Sequence, residues 1–274
     1  MSNQQPDNYT LGRSEGEMQR LMRQAARNRT TFVRFLEDAG VTSGMKVLDV
    51  GTGAGDLAFV AAERVGASGS VVGIDMNEQI LETARMRSAA DGLSQVSFVH
   101  GRIPEDLERA GRDFDAVIGH RVAMYFPDCV KAMRGLAEVM KSGAVMGFLE
   151  VELSAITRHT FPHSELSEKV SDWITRAVAP TSDINMGSKL YSAFIDAGFP
   201  PPEARGVVEA GGAGSMDSPL GLVRTLRESM IRQGIATEAE LDLDAIAEQL
   251  RFEGERERTF RLGPLVIGAW SRKP

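Results

Sequence analysis

The chain has 274 residues, 42% of them hydrophobic, enough for one large domain or a domain with an insertion around a full core. Its net charge of −7 disfavours a nucleic-acid partner, which needs clustered Lys and Arg to meet phosphates. The single Cys129 excludes an intrachain disulfide, no apolar run reaches the ~18 residues of a membrane span, and the polar start MSNQQPDN is no signal peptide, so a cytoplasmic protein without membrane contact is expected.

In chain order, residues 1–8 read as a polar lead. Ser14 and Glu17 have capping-box spacing for a helix with Met18, Leu21 and Met22 on one face, and a second helix runs from Thr30 to Ala39, closed by Gly40. Val47, Leu48 and Val50 then read as a buried strand, with Asp49 inside it. The strand stops in Gly51, Gly53 and Gly55, with Thr52 between the first two, and Leu57 to Val65 restart as a helix. Glycine permits positive φ and brings a ligand onto bare main chain, and the free N–H groups of a helix start favour an anionic group there. With no ligand, the same pattern is only a tight strand-to-helix turn. Ser70 to Asp75 form the second strand, ending in an acid 24 residues after Gly51. An acid at that tip accepts ribose hydroxyls or, alternatively, serves the N-terminus of the next helix. Met76 offers an apolar face to a base.

Asn77 to Ala90 read as the next helix, Gln95 to His100 as the third strand, and Phe114 to Gly119 as the fourth. The loop His120–Asp128 lies at the carboxyl end of the fourth strand, where open α/β sheets bind ligands. That places His120 and Arg121 where two ligands would meet. A neutral-range imidazole is a candidate base; the plainer alternative is a histidine that offers only its carbonyl. Asp128 caps a helix from Cys129 to Met140 whose Val130, Met133, Leu136 and Met140 make a core stripe. Ala144 to Val151 are the fifth strand, with Glu150 near its end. From Leu153 to Asn185 periodicity fails except for a short helix at Glu165–Ala177. This insertion is placed over the same sheet edge, so it shapes an acceptor pocket. His159 and His163 have an i, i+4 spacing, but Pro162 interrupts a helix there and no metal motif supports a metal site. His163 is kept as a second catalytic candidate against a solvated loop histidine. Met186 to Phe199 read as a helix closed by Gly198, Val207–Val208 mark a sixth strand, and Gly211–Gly214 a flexible joint. Ser218 with Pro219 opens a helix ended by Gly234, Thr237 with Glu240 opens another to Leu250, and Pro264 to Ser271 are the last strand.

Asp49-x-Gly51-x-Gly53-x-Gly55 resembles motif I of the class I S-adenosylmethionine (SAM) methyltransferases, E/D-x-G-x-G-x-G, and departs from the dinucleotide fingerprint, having Asp56 where that pattern would continue. The stretch Y-x-L-G-x-S-x-x-E-x-x-R-L-x-x-Q from Tyr9 to Gln24 and the loop G-x-x-x-x-M-Y-x-x-D at 119–128 are similar to a small-molecule subfamily of these enzymes. The resemblance spans Tyr9 to Trp270. It implies an α/β, Rossmann-like fold with a seven-stranded, mostly parallel sheet of order 3-2-1-4-5-7-6, a helical N-terminal lid and C-terminal cap insertions. It divides the chain into a lid at 1–42, a SAM-binding core at 43–153, and an acceptor-site insertion with the remaining strands and cap helices at 154–274. It implies SAM as cofactor, with Tyr9, Arg20, Gln24, Gly51, Thr52, Gly53, Asp75, Met76, Arg102, Ile103, His120 and Arg121 around it. Arg102 stands where relatives often carry an acid for the adenine amino group, so Ile103 is assigned to pack on the ring. The implied reaction is methyl transfer to an O, N or C nucleophile of a small metabolite, as in natural-product biosynthesis. A SAM-binding enzyme that catalyses a rearrangement is the alternative, and an NAD(P) oxidoreductase is disfavoured by Asp56. The helices at 218–250 either cap the acceptor site or make a homodimer contact.

Overall fold

The computed structural model describes residues 28–153 and 160–274. Tyr9, Arg20, Gln24, His159 and the helix expected after Ser14 lie outside the described residues. The first described element, helix α1 (residues 28–38), ends as expected in Gly40 at φ +75°, whose N–H bonds the Glu37 carbonyl at 3.0 Å. Strand β1 (Lys46–Val50), helix α2 (Asp56–Val65), β2 (Ser70–Asp75), α3 (Glu78–Ala90), β3 (Val96–His100), the one-turn α4 (Leu107–Ala110) and β4 (Phe114–His120) follow. Then come α5 (Cys129–Glu138), β5 (Met140–Glu152), the two-residue β6 (Thr160–Phe161), α6 (Glu165–Val178), α7 (Met186–Asp196), β7 (Glu203–Gly211), α8 (Leu220–Arg232), α9 (Leu243–Glu257) and β8 (Phe260–Arg272).

The sheet runs β3-β2-β1-β4-β5-β8-β6, with β7 also on β8. β1 to β5 pair in parallel, and β8 is antiparallel to β5, β6 and β7. With the short β6 set aside, this is the expected seven-stranded order, its last strand reversed between the fifth and sixth. Alternation along the strands sorts side chains to two faces. Val47, Ala116, Ile118 and Trp270 join Phe32, Phe35 and Leu36 of α1 and Leu57, Ala61 and Val65 of α2 on one side. Leu48, Val50, Val117 and Phe148 join Met133 and Leu136 of α5 and Leu190 and Phe194 of α7 on the other. Trp173, Ile174, Val223, Met230, Ile246 and Leu250 make a third core within α6, α8 and α9.

Several boundaries differ from the sequence reading, each for a tertiary reason. The helix expected to reach Met140 stops at Glu138, because the Val139 carbonyl takes the Phe114 N–H at 3.1 Å and Met140 already pairs with Phe114. The Thr237–Glu240 capping box forms, with both backbone N–H groups bonded (2.9 and 3.3 Å), yet it opens only a single 3₁₀ turn, Ala239–Leu241. Asp242 then caps α9, which runs past Leu250 to Glu257. Gly254 extends the buried stripe, since a Cβ there would lie 2.9 Å from the Ala213 backbone. Gly211–Gly214 is a hydrogen-bonded turn rather than a loose joint, Ser215 N–H meeting the Gly212 carbonyl at 2.9 Å. Ser218 does not cap α8; its hydroxyl accepts from Arg261 at 3.3 Å.

Candidate active site

The first carboxyl-edge loop is built by three glycines at positive φ, Gly51 (+64°), Gly53 (+53°) and Gly55 (+88°). The amides of the loop itself are used within the protein, which leaves the expectation about the helix-start amides untouched, since α2 has no side-chain cap. The N–H groups of Gly51 and Thr52 both bond the Ile74 carbonyl (2.8 and 3.1 Å), Gly53 N–H bonds Asp75 Oδ2 (2.9 Å), and Gly55 N–H bonds the Thr52 carbonyl (2.9 Å). The glycines therefore serve shape and close approach. A Cβ on Gly51 would lie 2.3 Å from Val122 Cγ2, and one on Gly55 would lie 2.7 Å from the Phe59 ring. One on Gly53 would meet nothing within 4 Å, so the open side of the loop is at Gly53.

Two carboxyl groups flank this loop. Asp49 is buried beneath it and takes the Thr52 hydroxyl at 2.6 Å; burial pushes its carboxyl up to about 7 against that bond. The Thr52 side chain is thereby turned inward. Asp75, at the tip of β2, accepts Gly53 N–H on Oδ2 and Asn77 N–H on Oδ1, each at 2.9 Å. Burial raises its pKa, opposed by its backbone N–H donors and by His100. Asp75 thus braces the glycine loop and the start of α3, and an ionised carboxylate has acceptor capacity beyond these two bonds. Asn77 is the cap proper, accepting from Gln79 and Ile80. Met76 beside it is 54% exposed. His100 Nε2 lies 3.0 Å from the Met76 carbonyl and holds that turn. Arg102 is exposed, with its N–H on Asp106 Oδ2 at 3.0 Å, while Ile103 is half-buried and packs on the core.

Sequence reasoning missed the clamp behind the loop. Arg87 of α3 bonds the Ala54 carbonyl and Asp56 Oδ1, both at 2.7 Å, and its guanidinium stands 5.0 Å from the Phe59 ring centroid. Thus Asp56, which marked the departure from the dinucleotide pattern, is one half of an ion pair with little exposure. The partners are 31 residues apart, and no local spacing announces them.

The second loop leaves β4 at His120. Arg121 turns the chain at φ +51°, and its N–H bonds the Leu149 carbonyl at 2.9 Å. His120 stacks edge-on against Phe32, with centroids 4.8 Å apart. Burial, and secondarily the Arg121 charge, hold its pKa well below the ordinary value, so the ring is neutral at physiological pH. Val122 and Ala123 donate their N–H groups to Glu150 Oε1 at 2.9 and 2.8 Å. Glu150 is fully buried, and burial raises it to about 7 against those backbone bonds. A lone acid in the apolar run Ala144–Val151 was the signal that a partner must exist. Cys129 is pushed up to about 12, chiefly by burial, which suits a filler and not a nucleophile. The insertion does return over this edge: Asp183 N–H bonds the Met124 carbonyl at 2.7 Å and Leu153 N–H bonds the Ile184 carbonyl at 2.8 Å.

The structure thus brings Gly51, Thr52, Gly53, Asp75 and Met76 to one edge, with His120 and Arg121 on the adjoining loop. It does not bring His163 to them. That side chain is 64% exposed, 3.5 Å from Glu168, and borders a surface hollow with residues of α6 and α9 such as Lys169 and Glu253. Among the described residues no group of three or more His, Cys, Asp or Glu is placed to hold a metal ion. No helix among them is long and apolar enough to cross a membrane.

Comparison with known proteins agrees with this geometry. A family model described as a methyltransferase domain matches residues 41–198, more than half of the chain. The chain belongs to that family, the class I methyltransferases, and its cofactor is SAM. Aklanonic acid methyltransferase of Streptomyces sp. (strain C5) is 34% identical over 118 residues, 42% of this chain and 52% of that protein. Demethylmenaquinone methyltransferase of Staphylococcus aureus (strain MRSA252) is 35% identical over 117 residues, 43% of this chain and 47% of that protein. The chain thus spans about half the length of these curated relatives. In fold it is similar to a Bacillus halodurans C-125 structure described as a methyltransferase (TM-score 0.58, 19% identity, 89% of this chain and 99% of that one). The 4+2 cyclase SpnF is also similar in fold (TM-score 0.51, 19% identity, 90% of this chain and 81% of that one).

Proposed function

We propose that the chain transfers the methyl group of SAM to an O, N or C nucleophile of a small metabolite. One observation carries this reading: Val122 of the His120 loop packs on Gly51 so tightly that not even a methyl group fits between them. A ligand lying on the glycine loop is therefore next to the loop that carries His120, Arg121 and Tyr125. Bound there, SAM supplies an electrophilic methyl carbon on a sulfonium. Asp75 holds its ribose, Met76 and Ile103 face its adenine, and the open side of Gly53 admits its amino-acid tail. Half-buried Asp75 favours a cationic ligand, and Asp49 adds to this in its ionised form. Bound SAM would supply its methyl carbon to the acceptor's lone pair, the carbon–sulfur bonding pair staying on sulfur in the product. A ring nitrogen of His120 takes the acceptor's proton where one is lost. Most of the acceleration comes from alignment of the two partners.

Tyr9, Arg20 and Gln24 close over the cofactor in this reading, and Arg121 borders the acceptor. The net charge of −7 favours a small-molecule acceptor over nucleic acid. The names of the relatives, which act on aklanonic acid and demethylmenaquinone, support a metabolite of that size and a place in natural-product biosynthesis inside the cell. The test is transfer of label from methyl-labelled SAM to a panel of phenols, quinones, carboxylic acids and amines. Labelled product with S-adenosylhomocysteine (SAH) supports the reading. SAM binding with substrate conversion but no label transfer replaces it with a rearrangement enzyme, the reading that the likeness to a cyclase keeps in view.

A further inference from the structure

Glu150 presents a problem that the methyl-transfer reading leaves unsolved. It is wholly buried in an apolar strand, where an uncharged residue would cost less to bury. Its Oε1 receives two backbone N–H groups from the neighbouring loop, those of Val122 and Ala123, at 2.9 and 2.8 Å. Its Oε2 is buried and, among the described residues, has no hydrogen-bond partner. The charged and titratable groups around it come from each element packed there. They are Arg121 before the clamped amides, Tyr125 after them, and Cys129 at the start of α5, with Asp128 and Asp183 facing that cysteine. Glu152, two residues along β5, is buried as well, and its Oε2 takes Ser188 N–H at 3.0 Å.

We propose that Glu150 is the positioning residue of the acceptor loop, holding Val122 and Ala123 on β5, and through them His120 and Tyr125, and that its protonation loosens this hold. The clamp is one of two places where β5 sets the loop, the other being Arg121 N–H on the Leu149 carbonyl, and it is the one made by a side chain. His120 precedes it by two residues, Tyr125 follows it by two, and Val122 is the residue that meets Gly51. An ionised carboxylate binds two N–H groups as charge-assisted hydrogen bonds, and a neutral acid binds them more weakly. With burial raising Glu150 to about 7, the loop passes from loose to held across the physiological range as pH rises. This inference rests on the methyl-transfer reading only where turnover is measured.

The experiment follows the backbone amide signals of Val122 and Ala123 by NMR in isotope-labelled protein from pH 5.5 to 8.5, in the wild type and in Glu150→Gln. The expected result is a joint shift with a midpoint near 7 in the wild type and none in Glu150→Gln. Static wild-type amides overturn the proposal, and that measurement needs no acceptor. In turnover with labelled SAM, wild-type kcat is expected to rise through the same midpoint. Glu150→Gln is expected to stay about fivefold lower above it and flat with pH, with KM for SAM within about twofold of wild type. A Glu150→Gln profile like that of the wild type also overturns the proposal. Failure of every acceptor to take label would remove the methyl-transfer reading and leave the amide titration to decide the clamp.

Discussion

Replacing Gly51 and Gly53 separately by alanine separates the shape of the glycine loop from its ligand side. Both residues have positive φ (+64° and +53°), so each substitution places an L side chain in the left-handed region at about 1–2 kcal/mol. Beyond that the two differ. The new Cβ at 51 lands 2.3 Å from Val122 Cγ2 and 2.8 Å from Val122 Cβ, far inside carbon–carbon contact, and Val122 is held by Glu150. Overpacking of that kind costs roughly 1–3 kcal/mol, so Gly51→Ala is expected to lose about 2–5 kcal/mol in all. At roughly 2–4 °C per kcal/mol for a chain of this size, the melting temperature falls by about 5–15 °C. The new Cβ at 53 meets no protein atom within 4 Å, so Gly53→Ala loses only about 1–2 kcal/mol of stability. Its methyl group occupies the side where the tail of SAM is placed, and SAM affinity falls at least about tenfold, or 1.4 kcal/mol. Thermal melts and calorimetric titration with SAM and SAH provide the readouts. Adding Val122→Ala is expected to restore part of the stability lost in Gly51→Ala and none of the affinity lost in Gly53→Ala. If Gly53→Ala bound SAM within about twofold of wild type, the open side of the loop would not be the cofactor side and the site would have to be redrawn.

Other outcomes follow from the same geometry. His120→Ala is expected to lower kcat about 10²-fold or more for a hydroxyl or amine acceptor with little change in SAM affinity; full turnover would exclude the base role. Arg87→Met, which keeps some cover on Phe59, breaks a pair of low exposure and should cost roughly 3 kcal/mol and weaken SAM binding; in denaturant melts with and without SAM, an unchanged midpoint would show the clamp idle. Removing residues 1–25 is expected to weaken SAM binding, and unchanged affinity by calorimetry would dismiss the lid. For Asp49, whose carboxyl is raised from 3.8 to about 7, the folded chain holds a proton that the unfolded chain has released, so stability falls as pH rises between about 4 and 7. That shift corresponds to about 4 kcal/mol at most, Glu150 adds to the same slope, and Asp49→Asn should flatten it; melts from pH 5 to 8 that show equal slopes in both proteins would refute the assignment.

What the sequence made legible was what lies within a few residues of its own signal. The strand Val47–Val50, its three glycines and the acid at the end of β2 are adjacent in sequence, and the parallel sheet needs little more than their repetition. Pairings over long separations were not legible. Arg87 reaches Asp56 only because α3 folds back beside α2, and Glu150 meets Val122 and Ala123 only because β5 is the sheet neighbour of β4. His163 shows the same limit from the other side: the insertion does lie over the carboxyl edge, through Asp183 and Ile184, but its start leads away to α6 and α9. The capping box at Thr237 was read correctly as chemistry and wrongly as a helix start, because Asp242 cap geometry and the packing of Leu243, Ile246 and Gly254 decide where α9 begins and ends.

The amides of the glycine loop are used inside the protein, and the free amides expected here are those at the start of α2. The amides of Gly51, Thr52 and Gly53 are bonded inside the protein, so a ligand on the loop is not held through them. What remains is backbone that a ligand approaches closely, flanked by Asp49 below and Asp75 beside it, both of low accessibility. A pyrophosphate would face Asp75, while a ligand carrying an ammonium and a sulfonium is drawn to it; Asp49, raised to about 7, adds its charge only as pH rises through that value. The same field distinguishes reactant from product. Methyl transfer removes the positive charge from sulfur, so the attraction that gathers the cofactor relaxes when the chemistry is done. On the methyl-transfer reading, the same field favours the charged donor over its neutral remainder.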